Sequence, residues 1–346
     1  MSRSTASVRS IALLTGFSKA TVANALRGHP TVAAATAERI RAAAAEVGYS
    51  RNQFVGGLMS AMRRAQTAGF HGVLACVDFA EPDRPEHGPF HRELVSGARA
   101  RATELGFKLE EYVVGEGRLS PARLITILQA RGIHGVAILP SWRAPDLTGL
   151  DLGALAVVAA DLMPNASPMH SVCCDHYGSM FALLERLEAR GYRRPGLVLD
   201  TGRDERVLLR RSAALHAFQQ HLPANRRVPV LEAPTIDRAL FGRWFRRHRP
   251  DVVLAHETEV LDLLEAEGAA VPGGCGFVCL NRAKARRSCA ALDLQPRLIG
   301  ARTVELLVAQ LQQNTLGVPE CPSVLTLVAR LVEGPTLRSN VGVVVP

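Results

Sequence analysis

Apolar residues recur at helical spacing near the start of the chain and give way to short continuous runs further on. Val8, Ile11 and Ala12 repeat three to four residues apart, and so do Val22, Ala25 and Leu26, so each segment carries one apolar face. Between them Gly16 permits a sharp turn, and the hydroxyl of Ser18 is placed to cap the second helix. A third helix follows, with Ile40, Ala43, Ala44 and Val47 on one side and Gly48 at its end. Three short helices on so small a core predict a helix-turn-helix reading head over residues 8–49 rather than a catalytic unit.

From Gly72 onward the pattern changes. Gly72–Asp78, Lys108–Val114, Val136–Pro140 and Leu155–Ala160 read as buried strands, with helices at Leu94–Leu105 and Leu124–Ala130. A second series repeats the plan, with strands at Gly196–Asp200, Val228–Leu231, Val252–Ala255 and Gly276–Leu280. Its helices fall near Phe181–Ala189, Leu208–His221, Ala239–Arg247 and Val260–Glu267. Strands apolar on both faces and separated by helices predict two parallel α/β sheets. The run Leu325–Val332 reads as one further strand.

Charge sharpens the division. The 346 residues carry a net charge of +9, and a chain of this length suggests two or three domains. Residues 1–65 hold nine basic side chains and two acidic ones, leaving only +2 for the rest. A basic head on a nearly neutral body is the electrostatic footprint of a phosphate-binding module. Of the seven cysteines, Cys76, Cys173, Cys174, Cys275 and Cys279 lie in apolar runs, where a thiol behaves as a small hydrophobe. The Cys275–Cys279 spacing lacks adjacent ligands for zinc. No stretch reads as a signal peptide or a membrane span, so a cytoplasmic location is expected.

The order of the three helices, with Thr31-Val32, the Ala-rich third helix and Glu46-Val47-Gly48-Tyr49, resembles the lactose-repressor (LacI) family of bacterial transcription regulators. The resemblance implies an all-α helix-turn-helix head plus an α/β core of two parallel-sheet subdomains resembling periplasmic binding proteins. It divides the chain into residues 1–49 (head), 50–68 (hinge helix) and 69–346 (effector-binding and dimerisation core). It also implies a homodimer that binds double-stranded operator DNA under control of a small-molecule effector, with no cofactor. The C-terminal Arg338–Pro346 stretch shows no leucine heptads that would add a tetramer contact. On this pattern Lys19, Ala20 and Asn24 meet base edges in the major groove, Asn24 suiting an adenine and Ala20 a thymine methyl. Ser18, Thr21 and Arg27 fit phosphate contacts, and Leu58 matches the hinge residue that wedges into the minor groove. The chain departs from the family in having Ala23-Asn24 for the usual Ser-Arg, and Ala33 for a capping serine worth about 1 kcal/mol. Arg51 replaces a proline, and Gly56-Gly57 stand in mid-hinge at about 1 kcal/mol each. These departures motivate a competing reading, a small-molecule binding protein with a weakened DNA-binding head.

In open parallel sheets a ligand sits beyond the carboxyl ends of the strands. That rule selects Asp78, Trp142, Asp161, His256 and Asn281. The resemblance adds Arg211 as an effector-binding arginine and makes Asp161 an acceptor for ligand hydroxyls. Turn-capping by Asp161 or Asn281, a hydrogen-bonded lip role for His256 and packing at a subunit surface for Trp142 are the alternatives. His256-Glu257 replace a frequent Asn-Asp pair and Asn281 a usual Asp. A pocket so depleted of negative charge suits an anionic or otherwise different effector. No catalytic triad, phosphate-binding loop, metal cluster or convincing carboxylate pair speaks for an enzyme.

Overall fold

The computed structural model describes residues 8–26, 31–46, 70–80, 88–141, 145, 147, 150–162 and 168–339. The chain forms two compact units, residues 1–64 and 65–346. Arg27, Val47, Gly48 and the whole hinge segment 50–68, with Arg51, Gly56, Gly57 and Leu58, lie outside the described residues, as does Trp142.

The first unit contains helices α1 (Val8–Thr15), α2 (Lys19–Leu26) and α3 (Ala34–Glu46). Ile11, Val22, Ala25, Ala37, Ile40 and Ala44 are buried together, one apolar stripe from each helix. Gly16 adopts a φ of +73°, a left-handed turn that glycine makes without steric cost. Beyond it the Thr21 amide donates to Ser18 Oγ at 3.1 Å, the cap that starts α2. Arg39 lies over the Phe17 ring, 5.4 Å from its centroid, and closes the far side of this small core.

The second unit holds two six-stranded sheets. The first lobe runs β1 (Gly72–Phe79), α4 (Pro89–Glu104), β2 (Phe107–Val114), α5 (Pro121–Ala130), β3 (Gly135–Ile138), β4 (Ala156–Ala160) and β5 (His170–Cys174). The second runs α6 (His176–Ala189), β6 (Pro195–Asp200), α7 (Thr201–Glu205), α8 (Arg210–Gln220), β7 (Leu231–Ala233), α9 (Arg238–His248), β8 (Val252–Ala255), α10 (Glu259–Ala266), β9 (Gly276–Cys279) and β10 (Ala290–Asp293). The chain then returns to the first lobe through α11 (Pro296–Gln313) and β11 (Val324–Leu327), and ends in the second with β12 (Arg330–Val332). The sheet orders are β11-β5-β4-β3-β1-β2 and β12-β10-β9-β8-β6-β7. All pairings are parallel except β10 with β12.

Three connections therefore join the lobes, at Asp175, at Leu294-Gln295 and at Val328-Ala329. They are tied together: the Asp175 amide donates to Leu327 O at 2.8 Å, the Ala329 amide to Ser179 Oγ at 2.8 Å, and Gln295 Nε2 to Val328 O. Linked crossings of this kind permit a hinge while keeping its two sides in register.

Several expectations are corrected here. The run Leu325–Val332 is two short strands in different sheets, because the third crossing interrupts it. The helix expected from Leu208 starts at Arg210; Leu208 and Leu209 are left-handed, at φ +57° and +56°. Asp204 explains that break, since its buried carboxylate accepts the Arg211 and Ser212 amides at 3.2 Å each and anchors the new helix. At Val228–Leu231 only the last residue is in a strand, β7. The helix expected at 181–189 begins earlier, at His176. No element was expected over 281–324, where β10 and α11 lie, nor at β5.

Helices α4 and α11 cross in very close contact. A Cβ on Gly300 would lie 2.1 Å from Leu94 O, and one on Gly97 2.0 Å from Arg297 O. Both obstacles are backbone atoms that no side-chain rotation can clear. Gly300→Ala should thus force the helices apart and destabilise the core unit by about 3 kcal/mol or more, at the upper end of overpacking effects. Chemical denaturation of full-length protein checks this, and a loss within experimental scatter of zero would contradict it.

Candidate DNA-reading helix and effector cavity

In the head, the buried positions of α2 fix which face remains outside. Val22 and Ala25 point into the core, leaving Ser18, Lys19 and Ala20 exposed and Thr21 and Asn24 half-buried. Ser18 Oγ also lies 2.8 Å from Thr21 Oγ1, so the hydroxyls expected at phosphates form one local pair at the helix start. A helix N-terminus with exposed amides and a neighbouring lysine attracts anions.

In the core, a cavity of about 360 Å³ opens between the lobes. Its walls are the segments that follow strands: Pro140-Ser141 after β3, Asp161 after β4, His176 after β5, His256-Glu257 after β8 and Asn281 after β9. The volume falls within the ~300–1,000 Å³ of small-molecule sites. Four expected residues meet here, Asp161, Arg211, His256 and Asn281. Asp78 is not among the lining residues. It alternates with Val77 and Phe79, which belong to the core on one face of the sheet, so the pleat turns Asp78 with Leu74 towards the other face. Asn281 also caps the 3-10 turn Arg282–Lys284, accepting the Ala283 amide at 3.1 Å.

The dominant polar contact is one that sequence reading did not identify. Arg206, from the second lobe, donates through Nη2 to Asp161 Oδ2 at 2.8 Å and through Nε to Ser141 O at 3.1 Å, both in the first lobe. The left-handed pair Leu208-Leu209 redirects the chain between α7 and α8 so that Arg206 and Arg211 both reach the cavity. Asp161 itself has φ +88°, a strained conformation of the kind that collects at functional sites.

Burial alone raises the Asp161 carboxyl, but the Arg206 guanidinium, helped by its hydrogen bond, outweighs burial and holds it below the ordinary carboxylate value. Burial, opposed by the Asp204 carboxylate, pulls Arg211 down to about 10. His176, placed first in α6 by the Asp175 cap, is pushed down to about 3 by burial and by the charge of Arg211. It stays neutral in the fold but takes a proton below about 6.5 when unfolded. Its contribution is therefore present above pH 6.5 and fades as pH falls towards 3. Full-length protein should lose stability between pH 6.5 and 4.5 by up to about 1.4 kcal/mol per pH unit from this group. A His176→Gln variant should show a flatter dependence in the same denaturation series, and parallel curves would contradict the assignment.

His176 follows the end of β5 by two residues, so the strand-end rule would have found it had His170–Cys174 been read as a strand. Arg206 had no such signal, because its position depends on the turn that Asp204 builds. Among the described residues no three His, Cys, Asp or Glu side chains could share a metal ion, and no helix is long and apolar enough to cross a membrane.

A trihelical head with an exposed second helix, carried on a two-lobed α/β core with a cavity at its strand ends, defines a DNA-binding regulator with an effector domain. Residues 7–52 match the bacterial regulatory proteins of the lacI family, and residues 184–336 match a periplasmic binding protein-like domain. This pairing makes the chain a transcription regulator with a lacI-family DNA-binding domain. It is similar in fold to the transcriptional regulator CelR in complex with cellobiose, at 21% identity and a TM-score of 0.58 over 95% of this chain and 99% of that one. It is also similar to the lac repressor dimer bound to operator and the anti-inducer ONPF, at 17% identity and 0.55 over 95% and 98%. A LacI transcriptional regulator from a Rhodococcus species, at 19% and 0.56, covers 77% of this chain and 98% of its own. No curated protein matches the sequence significantly.

Proposed function

We propose that this regulator is a repressor that binds a near-palindromic operator as a homodimer in the cytoplasm and responds to a small organic effector held between its lobes. It is not an enzyme on this reading. Lys19, Ala20 and Asn24 read base edges, Ser18 and Thr21 contact phosphates, and Asp161, Arg211, His256 and Asn281 contact the effector. The observation that carries the reading is the cavity built from both lobes and spanned by Arg206, on a chain that also bears a lacI-type head. A ligand that engages Arg206, Asp161 or Ser141 changes what holds the lobes together. A coupling of about 1–3 kcal/mol between the cavity and the DNA site gives roughly 5–150-fold regulation.

The test is a genome-wide footprint with purified full-length protein, followed by gel shifts of the enriched fragments across a salt series. Discrete sites of two half-sites are expected, with affinity falling about a thousandfold or more between 50 and 200 mM salt if some six or more phosphates are engaged. Equal retention of random DNA would overturn the reading.

A further inference from the structure

We propose that the cavity takes a hydroxyl-bearing organic anion, a sugar acid or a phosphorylated sugar, in preference to a neutral sugar. The inference rests on the effector reading above and names the chemistry of that effector. Among the described lining residues Arg206, Arg211, Lys284 and Arg286 are cationic and only Asp161 and Glu257 anionic, with Glu259 and the buried Asp204 facing Arg286 and Arg211 from outside the lining. The carboxylates are also engaged. Asp161 is paired with Arg206, and Glu257 lies 3.6 Å from Lys284. Arg286 reaches out of the cavity to Glu259 at 2.9 Å, whereas Arg211 is buried in the cavity wall.

Polar atoms left without hydrogen-bond partners add direction. Ser141 Oγ and His176 Nε2 are buried at the cavity and unpartnered, and each can donate to an anionic oxygen. Asp161 Oδ1 is likewise buried and unpartnered, and a carboxylate only accepts, so it calls for a ligand hydroxyl. One molecule with an anionic group towards Arg211, Ser141 and His176 and a hydroxyl towards Asp161 satisfies all three atoms. Arginine presents a planar fork suited to carboxylate and phosphate alike.

The experiment separates a host-cell metabolite extract on an anion-exchange resin and adds each pool to full-length protein. Thermal midpoint and operator affinity are measured in each case. A shift produced by the retained pool, and not by the flow-through, is expected. Phosphatase treatment of that pool then distinguishes a phosphate ester, whose effect disappears, from a carboxylate, whose effect survives. Gluconate and glucose 6-phosphate beside glucose serve as defined probes, with any binding by the anions weakening as salt rises. Lys284→Gln, at the cavity rim, should weaken the active anion about tenfold, and Arg211→Gln more, where circular dichroism shows that the variant folds. A shift confined to the flow-through overturns the anionic class and leaves the effector reading standing. Inactivity of both pools overturns the effector reading and this inference with it.

Discussion

Replacing Arg206 with methionine is expected to lower the stability of the core unit by about 3 kcal/mol at pH 8, towards the lower end of the range for breaking a buried pair because the cavity admits water. Arg206 and Asp161 are both largely buried, and the variant leaves the carboxylate in the cavity wall with its guanidinium gone. The pH dependence carries a sign. In the wild type the depressed Asp161 value contributes stability that is present above about pH 4 and is lost as pH falls through its folded value. Without Arg206, burial dominates and the carboxyl rises above its ordinary value. Asp161 then becomes destabilising as pH increases, so the deficit at pH 8 should exceed that at pH 5. Denaturation at both values measures the difference, and a pH-independent deficit would show that the pair is not what Arg206 supplies. Adding Asp161→Leu to Arg206→Met should restore most of the stability, since an apolar pair replaces the ionic one, while leaving the effector response lost.

The residues that could be read from sequence differ physically from those that could not. The head was legible because each helix buries one stripe, so that Val22 and Ala25 in α2, and Ala37, Ile40 and Ala44 in α3, each follow the 3.6-residue period. Strands such as Val252–Ala255, buried on both faces, were equally plain. Helix α11 was not. It is covered by the sheet on one side and α4 on the other, and it buries Gly300, Thr303 and Gln310 among its aliphatic residues, which blurs the amphipathic period. The strand-end rule selected Asp161, His256 and Asn281, whose places follow from the strand that precedes each one. It also selected Asp78, which the pleat keeps from the cavity lining, and it had no purchase on Arg206. That residue reaches Asp161 only through the buried Asp204 and two consecutive left-handed leucines, a backbone path that neither propensity nor periodicity encodes.

The second large effect belongs to α2. Asn24→Ala is expected to weaken operator binding by roughly 30- to 20,000-fold. A bidentate amide–adenine contact is worth about 1–3 kcal/mol, and the proposed dimer makes it in both half-sites. Asn24 sits one residue before buried Ala25 and five after exposed Lys19, so its position is fixed by the same core that orients the helix. Specificity separates this role from a structural one. If Asn24 reads a base, the variant binds random DNA as the wild type does, with the same salt slope, and only the preference for operator falls. Arg27→Ala provides the contrast, since loss of a charged phosphate contact weakens all sequences alike and reduces the salt slope by about one per head. Ser18→Ala removes the cap of α2, costing about 1 kcal/mol of head stability, and should be visible in the melting of the head before it is visible in sequence preference. An Asn24→Ala protein that loses operator and random DNA equally, with its circular dichroism unchanged, would remove Asn24 from base recognition and move it to the phosphate-contacting side of the helix.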